Sequence, residues 1–241
     1  MTATPASPLW RLVRYFIRPH LTVYGAFWTI VILVWIAATT FVERLSFIDG
    51  SVFTTVGLSA PKWFLFVFSL IMAVEVKVYV SYGITRRHVF AASAIALGAT
   101  ALGFALLTLA IFLLEQVIYE RLGIADRLAR YLLISTPLDG AELPAASFLV
   151  FVLYSACGWM VGAGFYRFGP WWGSLFVTPA CAPFAAVELA SSSYAPASGS
   201  GFGLTGLAPT WGTLLAVGAA ALAVLGAYLI VRDLPIRKVS G

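Results

Sequence analysis

Charged side chains make up only 10% of these 241 residues, where a soluble globular domain carries roughly 25%. So few cannot cover a water-facing surface, and an ordinary soluble domain is excluded. Histidine and cysteine are scarcer still, with two of each. Cys157 and Cys181 both fall inside long apolar stretches, which rules out a disulfide framework and leaves each as a small core hydrophobe. His20 and His88 sit at the edges of such stretches, too scattered relative to the cysteines for a metal-ligand cluster. The tripeptide Gly199-Ser200-Gly201 has no histidine after it, so the Ser/His pair of an intramembrane hydrolase is missing. None of the few lysines follows the glycine frame of a G-x-x-x-x-G-K-[ST] phosphate loop. The expectation is a chain with no catalytic residues and no metal site.

Apolar residues are in excess: 61% of the chain is hydrophobic, against roughly 45–50% in globular domains. Runs of about 20 apolar residues, enough to cross a hydrocarbon core of roughly 30 Å, occur at Leu21–Phe41, Trp63–Tyr82, Val89 to about Leu114, Ala145–Phe165, Trp171–Glu188 and Trp211–Val231. The predicted fold class is an all-α membrane protein with six transmembrane helices. Residues 1–20 are assigned to an N-terminal segment with an interfacial helix, 21–232 to the six-helix domain, and 233–241 to a tail. The first run is too long for the roughly 7–15-residue core of a secretory signal, and no small-residue cleavage site follows it.

Six spans alternate the sides of the intervening segments, so charge tests the orientation. One set holds Arg11, Arg14, Arg18, Arg86, Arg87, Arg167, Arg232, Arg237 and Lys238 against the single acid Asp233. The opposite set holds Arg44, Lys62, Arg121, Arg127 and Arg130 against Glu43, Asp49, Glu115, Glu120, Asp126, Asp139, Glu142 and Glu188. The first set is read as cytoplasmic, with both termini there, and the net charge of +5 belongs to membrane topology, not to nucleic-acid binding. The expected location is the plasma (inner) membrane, as a multi-pass protein.

Several features go beyond topology. Before the first span, Leu9, Trp10, Leu12, Val13, Phe16 and Ile17 alternate with Arg11, Arg14 and Arg18 at spacings of three and four, which predicts an amphipathic helix on membrane lipids, ended by Pro19. Glu75 and Lys77 lie inside the second span, where ionisable groups are costly and often functional. Two residues apart, they point about 200° apart on a helix, so Lys77 is expected to snorkel. Glu75 is expected to face the bundle interior or a subunit interface, where it is a candidate contact for a cationic substrate. Pro179 and Pro183 are expected to interrupt the fifth span, and Gly158 with Gly162 forms a G-x-x-x-G frame for close helix packing.

Between the second and third spans runs Gly83-Ile84-Thr85-Arg86-Arg87-His88-Val89-Phe90, and between the fourth and fifth Tyr166-Arg167-Phe168-Gly169. The first run resembles the glycine, aliphatic, Ser/Thr, Arg, Arg/Lys signature of integral-membrane permeases of ATP-binding-cassette exporters, those classed as type V. The second is similar to an aromatic-Arg-Phe-Gly turn in the same family, and the amphipathic N-terminal helix agrees with its connecting helix. The resemblance implies that Gly83, Ile84, Thr85, Arg86, Arg87, His88 and Phe90 form a coupling helix against a separate nucleotide-binding subunit, which binds the ATP and Mg. It implies a second permease subunit, identical or homologous, and export of a small hydrophobic, peptide or lipid-like substrate such as a drug or antibiotic. Phe64, Phe68, Met72, Glu75, Pro179 and Pro183 would then be candidates for the substrate pathway. Ser191 to Pro209, rich in Ser, Gly, Ala and Pro, departs from the ordered external helices of better-known members. Two alternatives stay open: the substrate-binding membrane module of an importer, and an ion-coupled secondary transporter.

Overall fold

The computed structural model describes residues 8–40, 59–123, 142–192 and 209–232. Every regular element among them is helical: α1 (Pro8–Ile17), a 3-10 turn at Arg18–His20, α2 (Leu21–Thr40), α3 (Ser59–Ser81), α4 (Arg86–Leu122), α5 (Glu142–Ser192) and α6 (Pro209–Arg232). The stretches Leu9–Thr40, Ser59–Ser81, Arg86–Leu122, Ser147–Glu188 and Leu214–Arg232 are long and apolar enough to cross a membrane. Their outward faces carry leucines such as Leu33, Leu175 and Leu222, each at least 60% exposed. Apolar surface on this scale suits lipid and not water. These features are those of a multi-pass membrane protein.

Six runs were expected; among the described residues there are five such stretches, because two of the runs share one element. Within α5 only Gly169 leaves helical backbone, at φ 78° and ψ −178°, a region that essentially only glycine occupies. Pro170 disfavours helical geometry in the residue before it and starts the next helical turn well. The chain reverses there without a loop. A Cβ on Gly173 would meet the Phe165 ring at 2.7 Å, and one on Gly164 would overlap Phe176. Further out, the rings of Tyr154 and Phe184 stack at 4.7 Å. These pairs all centre on Gly169–Pro170, so α5 is an antiparallel hairpin whose arms correspond to Ala145–Phe165 and Trp171–Glu188.

The first arm packs on α3 backbone to backbone. A Cβ on Gly158 would overlap the Phe66 carbonyl, and one on Gly162 the Leu70 carbonyl. The neighbour served by the G-x-x-x-G frame is therefore α3. By contrast, α2 is held at the distance of a ring: Phe27 stacks on Phe64 at 4.1 Å, and Phe104 of α4 meets Trp28 at 5.1 Å.

Three expectations change. Pro179 and Pro183 do not interrupt the helix, since the backbone stays helical through both. Proline's φ suits a helix, and here the lost donor and the crowding of the carbonyl four residues back are absorbed without a break in the helical backbone. The third run extends past Leu114 to Leu122, because Glu115, Glu120 and Arg121 are good helix formers; Gly123 (φ 71°) then caps α4 in the left-handed region. Finally, α1 does not give its whole apolar face to lipid. Val13 and Phe16 are buried in the protein while Trp10 is 54% exposed. The helix lies along α4, and Phe16 meets Tyr79 of α3 at 4.8 Å.

Candidate functional site

The turn from α3 to α4 can be derived bond by bond. Gly83 has φ 81°; its N–H donates to Val80 O at 3.0 Å, and the N–H of Ile84 reaches Tyr79 O at 3.2 Å. This pair of bonds is a Schellman cap, with glycine at its left-handed position and an apolar residue following. Ile84 packs against the core. Thr85 is the N-cap of α4, its hydroxyl accepting the His88 N–H at 3.4 Å and lying 2.6 Å from His88 Nδ1. Local geometry thus accounts for Gly83, Ile84 and Thr85. It does not account for Arg86 and Arg87, which sit in the first turn of α4, where positive charge opposes the helix dipole. Gly83 to Phe90 form no separate helix: 82–85 are turn, and Arg86 to Phe90 begin α4.

Arg86 Nη1 donates to the Arg232 carbonyl at the end of α6 at 3.1 Å. Arg87, His88 and Arg232 are exposed and Arg86 is half-buried. Together with Thr85, Tyr228 and Val231, the three arginines line an open cavity of about 320 Å³. Phe90 touches Tyr228 of α6 and Trp159 of α5, each at 5.3 Å between ring centres. Arg167 lies two helical turns beyond Trp159, over the Phe168 ring at 5.4 Å. On the other side, His20 Nδ1 lies 2.7 Å from Phe16 O, and its ring meets Phe68 at 4.7 Å. One end of the bundle therefore collects Arg11 and Arg14 of α1 and Arg18 of the 3-10 turn with Arg86, Arg87, Arg167 and Arg232. Arg237 and Lys238 lie outside the described residues.

The opposite end carries an arrangement that sequence reasoning missed. Lys62 Nζ and Glu188 Oε1 form a salt bridge at 2.6 Å, and the Tyr154 hydroxyl donates to the same Oε1 at 2.8 Å. Lys62 also lies over the Tyr154 ring at 5.3 Å, and Trp63 packs edge-on to Tyr154 and Phe184 at 5.3 and 5.8 Å. This clamp joins the start of α3 to both arms of α5. Its signal in the sequence was an opposite charge at the same-side ends of two spans, but nothing there made those spans neighbours.

The candidate pathway residues are not gathered into one site. Phe68 and Met72 are buried in the chain's own core, and Phe64 stacks between Phe27 and Phe68. Glu75 is half-buried and Lys77 exposed, while Pro179 is exposed and Pro183 half-buried on the second arm of α5. No protein-family model matches this chain, and neither a curated protein nor a solved structure matches it.

Proposed function

We propose that this chain is the transmembrane permease subunit of an ATP-driven exporter, crossing the membrane six times with its arginine-rich end in the cytoplasm. In this reading α2, α3, α4, the two arms of α5 and α6 are the crossings, and α1 lies at the cytoplasmic surface. The observation that carries the reading is the Arg86–Arg87 pair in the first turn of α4. The turn needs Gly83 and Thr85 for its own geometry, but two arginines there weaken the helix, and an external acidic or polar surface would offset that cost. A nucleotide-binding subunit docked at this end, with Arg87 and His88 exposed toward it, would transmit closure on ATP directly into α4. That long rigid lever contacts α1, α3, α5 and α6. A second permease subunit, identical or homologous, would complete the pathway.

The test is capture of the tagged, full-length chain from its native membrane after mild cross-linking, with the co-purifying polypeptides identified. The expected result is an ATPase carrying a phosphate loop, lost from the R86A/R87A double variant while the permease remains monodisperse. Transport by the purified chain alone under an ion gradient would overturn the exporter reading.

A further inference from the structure

We propose that the arginine-rich end is a docking surface for the headgroup layer of an anionic phospholipid leaflet, with the apex of α5 and the outward face of α1 as its two contacts. The proposal rests on the chain being embedded in a membrane and not on the exporter reading. The large apolar side chains exposed along α2, α4 and α6 are all leucine, isoleucine or valine. The exposed aromatic ones fall elsewhere. Among the described residues Trp10, Tyr15, Tyr82, Phe168, Trp171 and Trp172 lie at the arginine-rich end, and Trp63 alone at the other, where it packs edge-on to Tyr154 and Phe184. An indole or phenol ring has an apolar body and one polar hydrogen, which places it where hydrocarbon gives way to headgroups.

At the apex, Trp171 is 86% exposed and Trp172 70%. Adjacent helical residues point about 100° apart, so a groove on one partner would receive one ring, whereas a surrounding lipid layer receives both. Arg167, held over the Phe168 ring at 5.4 Å, sets a positive charge at the same apex. On the other contact, α1 turns its apolar side, Val13 and Phe16, into the bundle. Its outward face therefore carries Trp10 and Arg14, one turn apart, with Tyr15 and then Arg18 of the 3-10 turn, all exposed. Neither α1, the 3-10 turn nor residues 165–175 contain an acid. Positive charge gathered without a counter-charge in its own segments calls for an anionic surface, and lipid phosphates supply one at the level the rings prefer. A neutral leaflet would satisfy the rings and leave the arginines unmet; inorganic anions would do the reverse. The rings set the depth and the arginines select the charge.

For the test, the full-length chain is reconstituted without any partner in phosphatidylcholine vesicles, and spin-labelled phosphatidylglycerol and spin-labelled phosphatidylcholine report the lipid held at its surface. Phosphatidylglycerol is expected to be selected about three-fold or more over phosphatidylcholine, an excess that molar salt removes. R14Q/R18Q should cut that excess by about half or more, and R14K/R18K should keep it, which a packing role for these side chains would not allow. Depth is read separately, by quenching with brominated phosphatidylcholines. The fluorescence lost in W171F/W172F should be the part quenched most by bromine near the headgroup and least by bromine near the chain end. Equal selection of the two lipids would overturn the proposal, as would an excess unchanged in R14Q/R18Q. So would Trp171 and Trp172 fluorescence untouched by any brominated lipid, which would show that water or protein covers the apex. Because the chain is measured without a partner, ATPase capture by the R86A/R87A variant bears on the exporter reading alone.

Discussion

The two ends of α3 treat charge in opposite ways. At its start, Lys62 is paired within the chain with Glu188, whose carboxylate also accepts from Tyr154, beside the packed rings of Trp63, Tyr154 and Phe184. At its finish, the chain passes through a tight turn into Arg86 and Arg87, at an end that also collects Arg11, Arg14, Arg18, Arg167 and Arg232. A closed ion pair needs nothing from outside. An accumulation of one sign costs self-repulsion unless an anionic surface meets it. The first end is closed by contacts within the chain; at the second, recognition is the role we propose, and the glycine seam between α3 and α5 lies between the two.

The largest expected effect comes from breaking that seam. Gly158→Leu drives a side chain into the Phe66 carbonyl, and because backbone cannot step aside the loss should reach about 3 kcal/mol, the upper part of the overpacking range. Unfolding by titration with sodium dodecyl sulfate would show it, and an unchanged midpoint would mean that the two ends are not linked this way. Next is Gly169→Ala at the hairpin apex. Its φ of 78° with ψ of −178° is closed to alanine without strain, so a loss of about 2 kcal/mol is expected, and a wild-type midpoint would show the reversal tolerates another geometry. Glu188→Gln should cost about 1 kcal/mol, since its carboxylate is partly exposed and such pairs are modest. In a cycle with Lys62→Met the two losses should be non-additive; strict additivity would dissolve the clamp.

The smallest changes in stability fall at the basic end. Thr85→Ala removes the N-cap of α4 and should cost about 0.5–1 kcal/mol. Arg87→Gln should stay within about 0.5 kcal/mol of wild type and yet weaken capture of the ATPase. If Arg87→Gln instead proved the more destabilising of the two, the contrast between a structural end and a recognition end would be wrong.

Much of the fold was legible because the bilayer imposes a coarse rule: long apolar runs become helices, and breaks fall where glycine and proline permit them. Gly83 and the turn ending in Gly169 marked two reversals at their observed places, whereas at Pro19 the chain does not stop but stays helical through a 3-10 turn into α2. The signature from Gly83 to Arg87 was also legible, but its meaning divides in the structure. Three of its residues satisfy the turn itself, so only the arginines and His88 remain to argue for a partner. The prolines of α5 misled because a proline inside an apolar run looks the same in sequence whether or not the helix bends at it. The candidate pathway residues scattered because periodicity within one span cannot say which neighbour that span faces.

By itself, then, the sequence determined the membrane class, the helical content, the segregation of positive charge to one set of segments and the positions of the tightest turns. Each of these follows from local backbone chemistry or from the cost of placing charge in hydrocarbon. Only the tertiary structure decided that α1 buries Val13 and Phe16 against the bundle, that Gly158 and Gly162 serve α3, that Lys62 meets Glu188 across 126 positions, and that Arg232 joins Arg86 and Arg87 around one cavity. Those contacts depend on which helices are neighbours, which is settled by the mutual fit of faces far apart in sequence.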